Sequence, residues 1–124
     1  MRWIALLLGL LIGPGCAGAR MLRIEGPAAV TVRDGGGRVV CGRLPCRWVF
    51  SRQTCFGYDS SSGFIALTAE ASDGRRLRAP LLTTCDVVDG TLVRFELPPP
   101  ATGACAVVVD DGEPRRFETA CESP

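Results

Sequence analysis

Seven cysteines stand in a chain of 124 residues. Six of them, Cys41, Cys46, Cys55, Cys85, Cys105 and Cys121, fall in the body of the chain; Cys16 follows an apolar leader. An even set of this kind in a small exported chain implies a disulfide framework, because a domain of this size buries only a limited core and gains from covalent staples. Zinc is the competing use of cysteine. The chain has no C-x-x-C pair and no histidine, so the usual zinc spacings are absent and no metal site is expected. Composition leaves the pairing of six cysteines open. Hairpin geometry selects one pair, Cys105 with Cys121.

That geometry comes from a period-two alternation of apolar and polar residues. It runs through Ala29-Val30-Thr31-Val32-Arg33, through Phe64-Ile65-Ala66-Leu67-Thr68-Ala69-Glu70 and through Leu92-Val93-Arg94-Phe95-Glu96-Leu97. Such runs place one face on a core and the other in water. Turn signals separate them: Asp34-Gly35-Gly36-Gly37, Asp59-Ser60-Ser61-Ser62-Gly63, Asp73-Gly74, Asp89-Gly90 and Asp110-Asp111-Gly112. The expected strands are 21–25, 28–33, 38–42, 46–52, 64–71, 75–79, 82–88, 91–97, 104–110 and 115–121. No segment carries an amphipathic helical period. The expected fold is mainly β, a small antiparallel β-sandwich stapled by disulfides. Asp34 to Gly37 closes one hairpin and Asp110 to Pro114 another. Counting outward from the second turn sets Cys105 nearly opposite Cys121, within disulfide reach. Residues 20–97 form the expected core and 98–103, which include Pro98-Pro99-Pro100, a stiff link. Residues 104–124 form a closing hairpin of the same domain.

The N-terminus reads as an export signal. One arginine, Arg2, precedes the apolar run Trp3 to Ile12, about half the length needed to span a bilayer. The pattern Gly13-x-Gly15-x-x-Gly18 is not expected to be a dinucleotide loop, since Ala19 to Asp34, which follow it, have no helical period. Ala17-Gly18-Ala19 offers a cut before Arg20, giving a leader of 1–19. The alternative is a leader of 1–15: the apolar run followed by Gly15-Cys16 resembles the lipobox of bacterial lipoproteins, which implies lipidation of Cys16 and anchorage to a membrane. Lipidation is the preferred expectation.

The stretch Gly26 to Phe50 resembles a PEGA-type repeat. Its counterparts are Pro27-Ala28-Ala29, the strand Val30-Thr31-Val32, the turn Asp34-Gly35, and Gly42-Arg43-Leu44-Pro45, with Leu44 where the family carries threonine. Ser62 to Arg75 and Leu92 to Leu97 are similar to the strands that follow, so the likeness spans 27–97. It implies an extracytoplasmic β-sandwich used for display or protein contact, and brings no catalytic residues.

Composition excludes several functions. All 14 basic residues are arginine, set against 13 Asp plus Glu. A chain near neutrality is not a dedicated nucleic-acid binder. Without histidine, Ser-His-Asp and Cys-His catalysis are impossible, and the serines of Asp59 to Gly63 have no base. Asp110-Asp111-Gly112-Glu113 lacks the ligand spacing of a calcium loop and reads as a turn. No catalytic residue and no cofactor are expected. The contact candidates are the cluster Arg75, Arg76 and Arg78, whose guanidinium forks suit phosphate or acidic partners, and the aromatic pair Trp48 and Phe50 on one strand face. The expected function is a non-enzymatic binding or structural module of a bacterial cell envelope, lipid-anchored and touching an envelope protein. The alternative is a periplasmic or secreted inhibitor of a protease or lysozyme that inserts the loop Gln53 to Gly63 into the enzyme's cleft.

Overall fold

The computed structural model of the chain describes residues 19–51, 64–84, 87–99 and 104–123. Its strands in chain order are β1 (Ala19–Glu25), β2 (Thr31–Arg33), β3 (Val39–Cys41), β4 (Cys46–Ser51), β5 (Phe64–Ile65), β6 (Thr68–Glu70), β7 (Arg76–Arg78), β8 (Leu82–Thr83), β9 (Thr91–Glu96), β10 (Ala104–Asp110) and β11 (Pro114–Ala120). No helix occurs among the described residues, so the mainly-β expectation holds.

Three sheets form. The largest has the order β11-β10-β9-β1-β4, the second β3-β2-β6-β7, and β5 pairs with β8. The first sheet departs from the expected all-antiparallel pattern. β1 pairs antiparallel with β4 but parallel with β9, with Leu22 beside Thr91 and Ile24 beside Val93. The chain builds β2 and β3 of the second sheet between β1 and β4, adds β6 and β7 to it after β4, and returns as β9 in the same sense as β1. A parallel pair needs such a long crossover.

The alternating faces meet in one hydrophobic core. Leu22 and Ile24 of β1, Val93 and Phe95 of β9 and Val107 and Val109 of β10 come from the first sheet; Val32, Ala69 and Leu77 come from the second. Burying an aliphatic or phenyl side chain contributes roughly 1.5–3 kcal/mol; on β2, β6 and β7 the buried residue sits between polar neighbours, whereas on β10 Val107 and Val109 flank the half-buried Val108. Three expected strands are shorter than their patterns. The strand expected at 28–33 begins only at Thr31, because Ala28 and Ala29 lie in a turn in which the Val30 amide donates to the Pro27 carbonyl at 3.1 Å. Residues 64–71 keep their alternation but change partner: Phe64 and Ile65 pair with β8, and Thr68 to Glu70 pair with β2 and β7. Residues 82–88 stay extended only to Thr83, after which the chain turns and the Val87 amide donates to the Thr83 carbonyl at 3.1 Å.

The Asp34 turn closes β2 onto β3 as expected. The Asp34 carboxylate accepts from the amides of Gly36 (2.9 Å) and Arg38 (3.0 Å), and Gly37 takes φ +81°. β10 and β11 form the second expected hairpin, in continuous register from Ala104 beside Ala120 to Asp110 beside Pro114. β10 also pairs with β9, so this hairpin extends the first sheet. Just past β11, Glu122 exchanges two backbone hydrogen bonds with Arg76, at 2.8 and 3.0 Å, and so covers the outer edge of β7.

Candidate functional site

Among the described residues two disulfides stand at strand ends and within β10. Cys41–Cys46 ties the end of β3 to the start of β4, and therefore joins the second sheet to the first. Cys105–Cys121 ties β10 to the residue that follows β11, the pair anticipated from the turn count. Cys121 precedes Glu122, so this bond also holds the covering segment against β7. Cys16, Cys55 and Cys85 lie outside the described residues.

The arginine cluster is spent on the fold. Arg75 donates from Nε to Asp73 at 2.8 Å and from Nη1 to the Pro98 carbonyl at 2.7 Å. Arg76 pairs with Glu70 at 3.5 Å, and Arg78 with Glu122 at 3.3 Å. Each cation has a carboxylate beside it, and the Arg76 and Arg78 side chains remain 57% and 71% exposed. The Asp73 carboxyl is held below its ordinary value, first by the Arg75 amide and then by the Arg75 guanidinium.

Trp48 and Phe50 share a face, as expected, but it is the core face. Phe50 is buried, Trp48 packs against the same core, and their ring centroids are 5.7 Å apart. They stabilise β4 against the hydrophobic cluster and are not an exposed contact patch. The Asp110–Glu113 turn uses its own carboxylates. Asp110 accepts from the Gly112 amide at 3.0 Å, Asp111 accepts from the Glu113 amide at 3.3 Å, and Asp111 also lies 3.7 Å from Arg115. Among the described residues no three metal-ligating side chains gather at one point. The loop Gln53 to Gly63, assigned to the inhibitor alternative, lies outside the described residues.

The outer face of the first sheet carries a ladder of ion pairs. Glu25 pairs with Arg94 across β1 and β9. Arg116 of β11 pairs with Glu96 of β9 and with Glu118 of its own strand. Bonds to Glu96 and then Glu118 hold the Arg116 guanidinium above its ordinary value. A cavity of about 1120 Å³ over this face is lined by Glu96, Arg116 and Glu118, already paired with one another, and by Leu97, Pro98 and Ala106.

The feature that the sequence reading did not single out is β11 itself. All of its residues, Pro114 to Ala120, are exposed, and among the described residues β10 is its one strand partner. Phe117 faces the core side beside Val107 and remains 38% exposed. It borders a cleft of about 480 Å³ with Pro80, Leu81 and Val109, and Leu81 is 65% exposed. The alternation of Arg115, Phe117 and Thr119 with Arg116, Glu118 and Ala120 marks a strand. It does not mark an edge, because edge position depends on which strands lie beside it. No family model matches the chain, nor does any curated protein or any solved structure.

Proposed function

We propose that this chain is an exported β-sandwich module that serves a bacterial cell envelope as a non-enzymatic binding or structural unit, held at a membrane by lipid on Cys16. The observation that carries the reading is the pair of disulfides. Bonds of this kind persist in a non-reducing, extracytoplasmic setting. The shared core of the two larger sheets supports the sandwich arrangement. The order of turn, β2, Asp34 turn and β3 from Pro27 to Cys41 agrees with the resemblance to PEGA-type repeats. Cys16 stands just ahead of β1 in sequence, so a lipid there would hold the domain close to the bilayer surface. Among the described residues no helix is long and apolar enough to cross a membrane.

Intact mass spectrometry of the mature protein from its native host tests this directly. The expected chain begins at Cys16 and carries added acyl mass. Its other six cysteines alkylate only after reduction. A chain beginning at Arg20 without lipid would overturn the anchor. Cysteines that alkylate without reduction would overturn the export reading.

A further inference from the structure

We propose that β11 is the interface for a second copy of this chain, through an antiparallel β11–β11 pair centred on Phe117 that makes the two five-stranded sheets one continuous sheet. The starting point is the edge. An unpaired strand edge presents a row of amides and carbonyls ready to accept another strand, and proteins blunt such edges with short strands, bulges, prolines, charged side chains or a covering segment. β7 is covered by Glu122, and β3 is three residues long and pairs with β2 through an irregular register. β11 is seven residues long and in unbroken register with β10, with its one proline at its first position. Among the described residues neither a bulge nor a covering segment protects its middle; the protection it carries there is charge, from Arg115, Arg116 and Glu118.

The side chains specify the occupant. A two-fold axis through Phe117 sets Phe117 against Phe117 of the partner subunit. It sets Arg116 against Glu118 of the partner subunit, and Glu118 against Arg116 of the partner subunit. Directly opposed side chains lie about 4.5–5.5 Å apart at Cβ, within ion-pair reach. Arg115 then faces Thr119 of the partner subunit. A slip of one residue would turn the core-side face of one copy to the outer face of the other. A slip that preserves the faces recentres the axis on Arg116 or Glu118, and sets arginine against arginine or glutamate against glutamate. The charge order is therefore self-complementary in one register and repulsive in its neighbours. Closed two-fold pairing of a patch with itself is the commonest form of protein association. The guanidinium of Arg116 has enough donors to keep Glu96 while it meets the partner subunit's Glu118. The pairing also covers the half-exposed Phe117 beside the cleft that holds Leu81.

Sedimentation of the oxidised, exported chain at rising concentration is the test, with the variants Glu118→Arg and Arg116→Glu. Wild type is expected to form a dimer. Each variant alone sets like charges across the axis and weakens association roughly tenfold or more. An equimolar mixture of the two variants restores it as a one-to-one heterodimer, because every charged pair across the axis is then opposite in sign. Amide exchange on wild type needs no variant: β11 amides should slow as concentration rises. A monomer at every concentration, variants that dimerise like wild type, or two folded variants that fail to associate on mixing would each overturn the assignment.

Discussion

At Gly26 one hydrogen atom decides how closely two segments approach. A Cβ placed there would stand 2.9 Å from the Phe95 carbonyl oxygen and 2.9 Å from Leu44 Cδ1. The Leu44 side chain can yield; the Phe95 oxygen belongs to the backbone of a buried strand and cannot. Gly26→Ala is expected to destabilise the fold by about 1–3 kcal/mol, as overpacking does. Urea unfolding should show a lower midpoint with an unchanged slope. The glycine was legible as the start of the Gly26 to Phe50 stretch, but its reason was not, since it lies in a strand distant in sequence. Asp73 makes the second residue-scale case. Its folded carboxyl is held below the ordinary value of about 3.9, so its pairing contributes above that pH and is lost as pH falls through the folded value. Carboxyl-resolved NMR titration should place its midpoint below that of an unpaired aspartate. Asp73→Asn should be less stable than wild type at neutral pH, by a small amount because the pair is exposed, and the difference should close below about pH 4. The arginines nearby were visible in sequence as a cluster. Their partners Pro98 and Glu122 were not, because only the fold brings those segments together.

At the scale of elements, local pattern and long-range pairing separate cleanly. Turn chemistry made both hairpins readable, since Asp34 and Asp110 each hold their own turn amides. That was enough to place Cys105 with Cys121. The alternation of 64–71 was equally readable and still misled, because period two records which face is buried and says nothing of which strand lies alongside. The parallel β1–β9 pair had no local signal at all. The Cys105–Cys121 bond links these levels, because it fixes the segment whose Glu122 backbone covers β7. With a sequence separation of 16, the bond constrains the unfolded chain by about 3 kcal/mol. The double variant Cys105→Ala, Cys121→Ala should lose roughly 2–4 kcal/mol. It should also raise exchange at the Arg76 amide selectively, while β1 amides stay protected in the folded state. Uniform exchange across both sheets would show that the bond does not act through Glu122.

For the molecule as a whole, the position of the disulfides matters more than their number. Cys41–Cys46 crosses from the second sheet to the first, and Cys105–Cys121 holds the first sheet's closing segment against the second. Between those seams the two sheets share one core drawn from short strands, several of only two or three residues. A domain of this size has a net stability of about 5–15 kcal/mol. By loop-closure entropy the shorter loop contributes about 2 kcal/mol and the longer about 3 kcal/mol. Together they approach the lower end of the total. Reduction should therefore act on the joint between the sheets and on the whole fold at once, as one cooperative loss. Thermal unfolding followed by near-ultraviolet circular dichroism should show a midpoint lower by about 20 °C in reductant than without it, given about 4 °C per kcal/mol for a domain of this length. An unchanged midpoint would mean that the apolar core alone holds the sheets together, and that the cysteines serve something other than the stability of the fold. A drop in two separate steps would mean that the sheets are independent units joined only by their covalent seams.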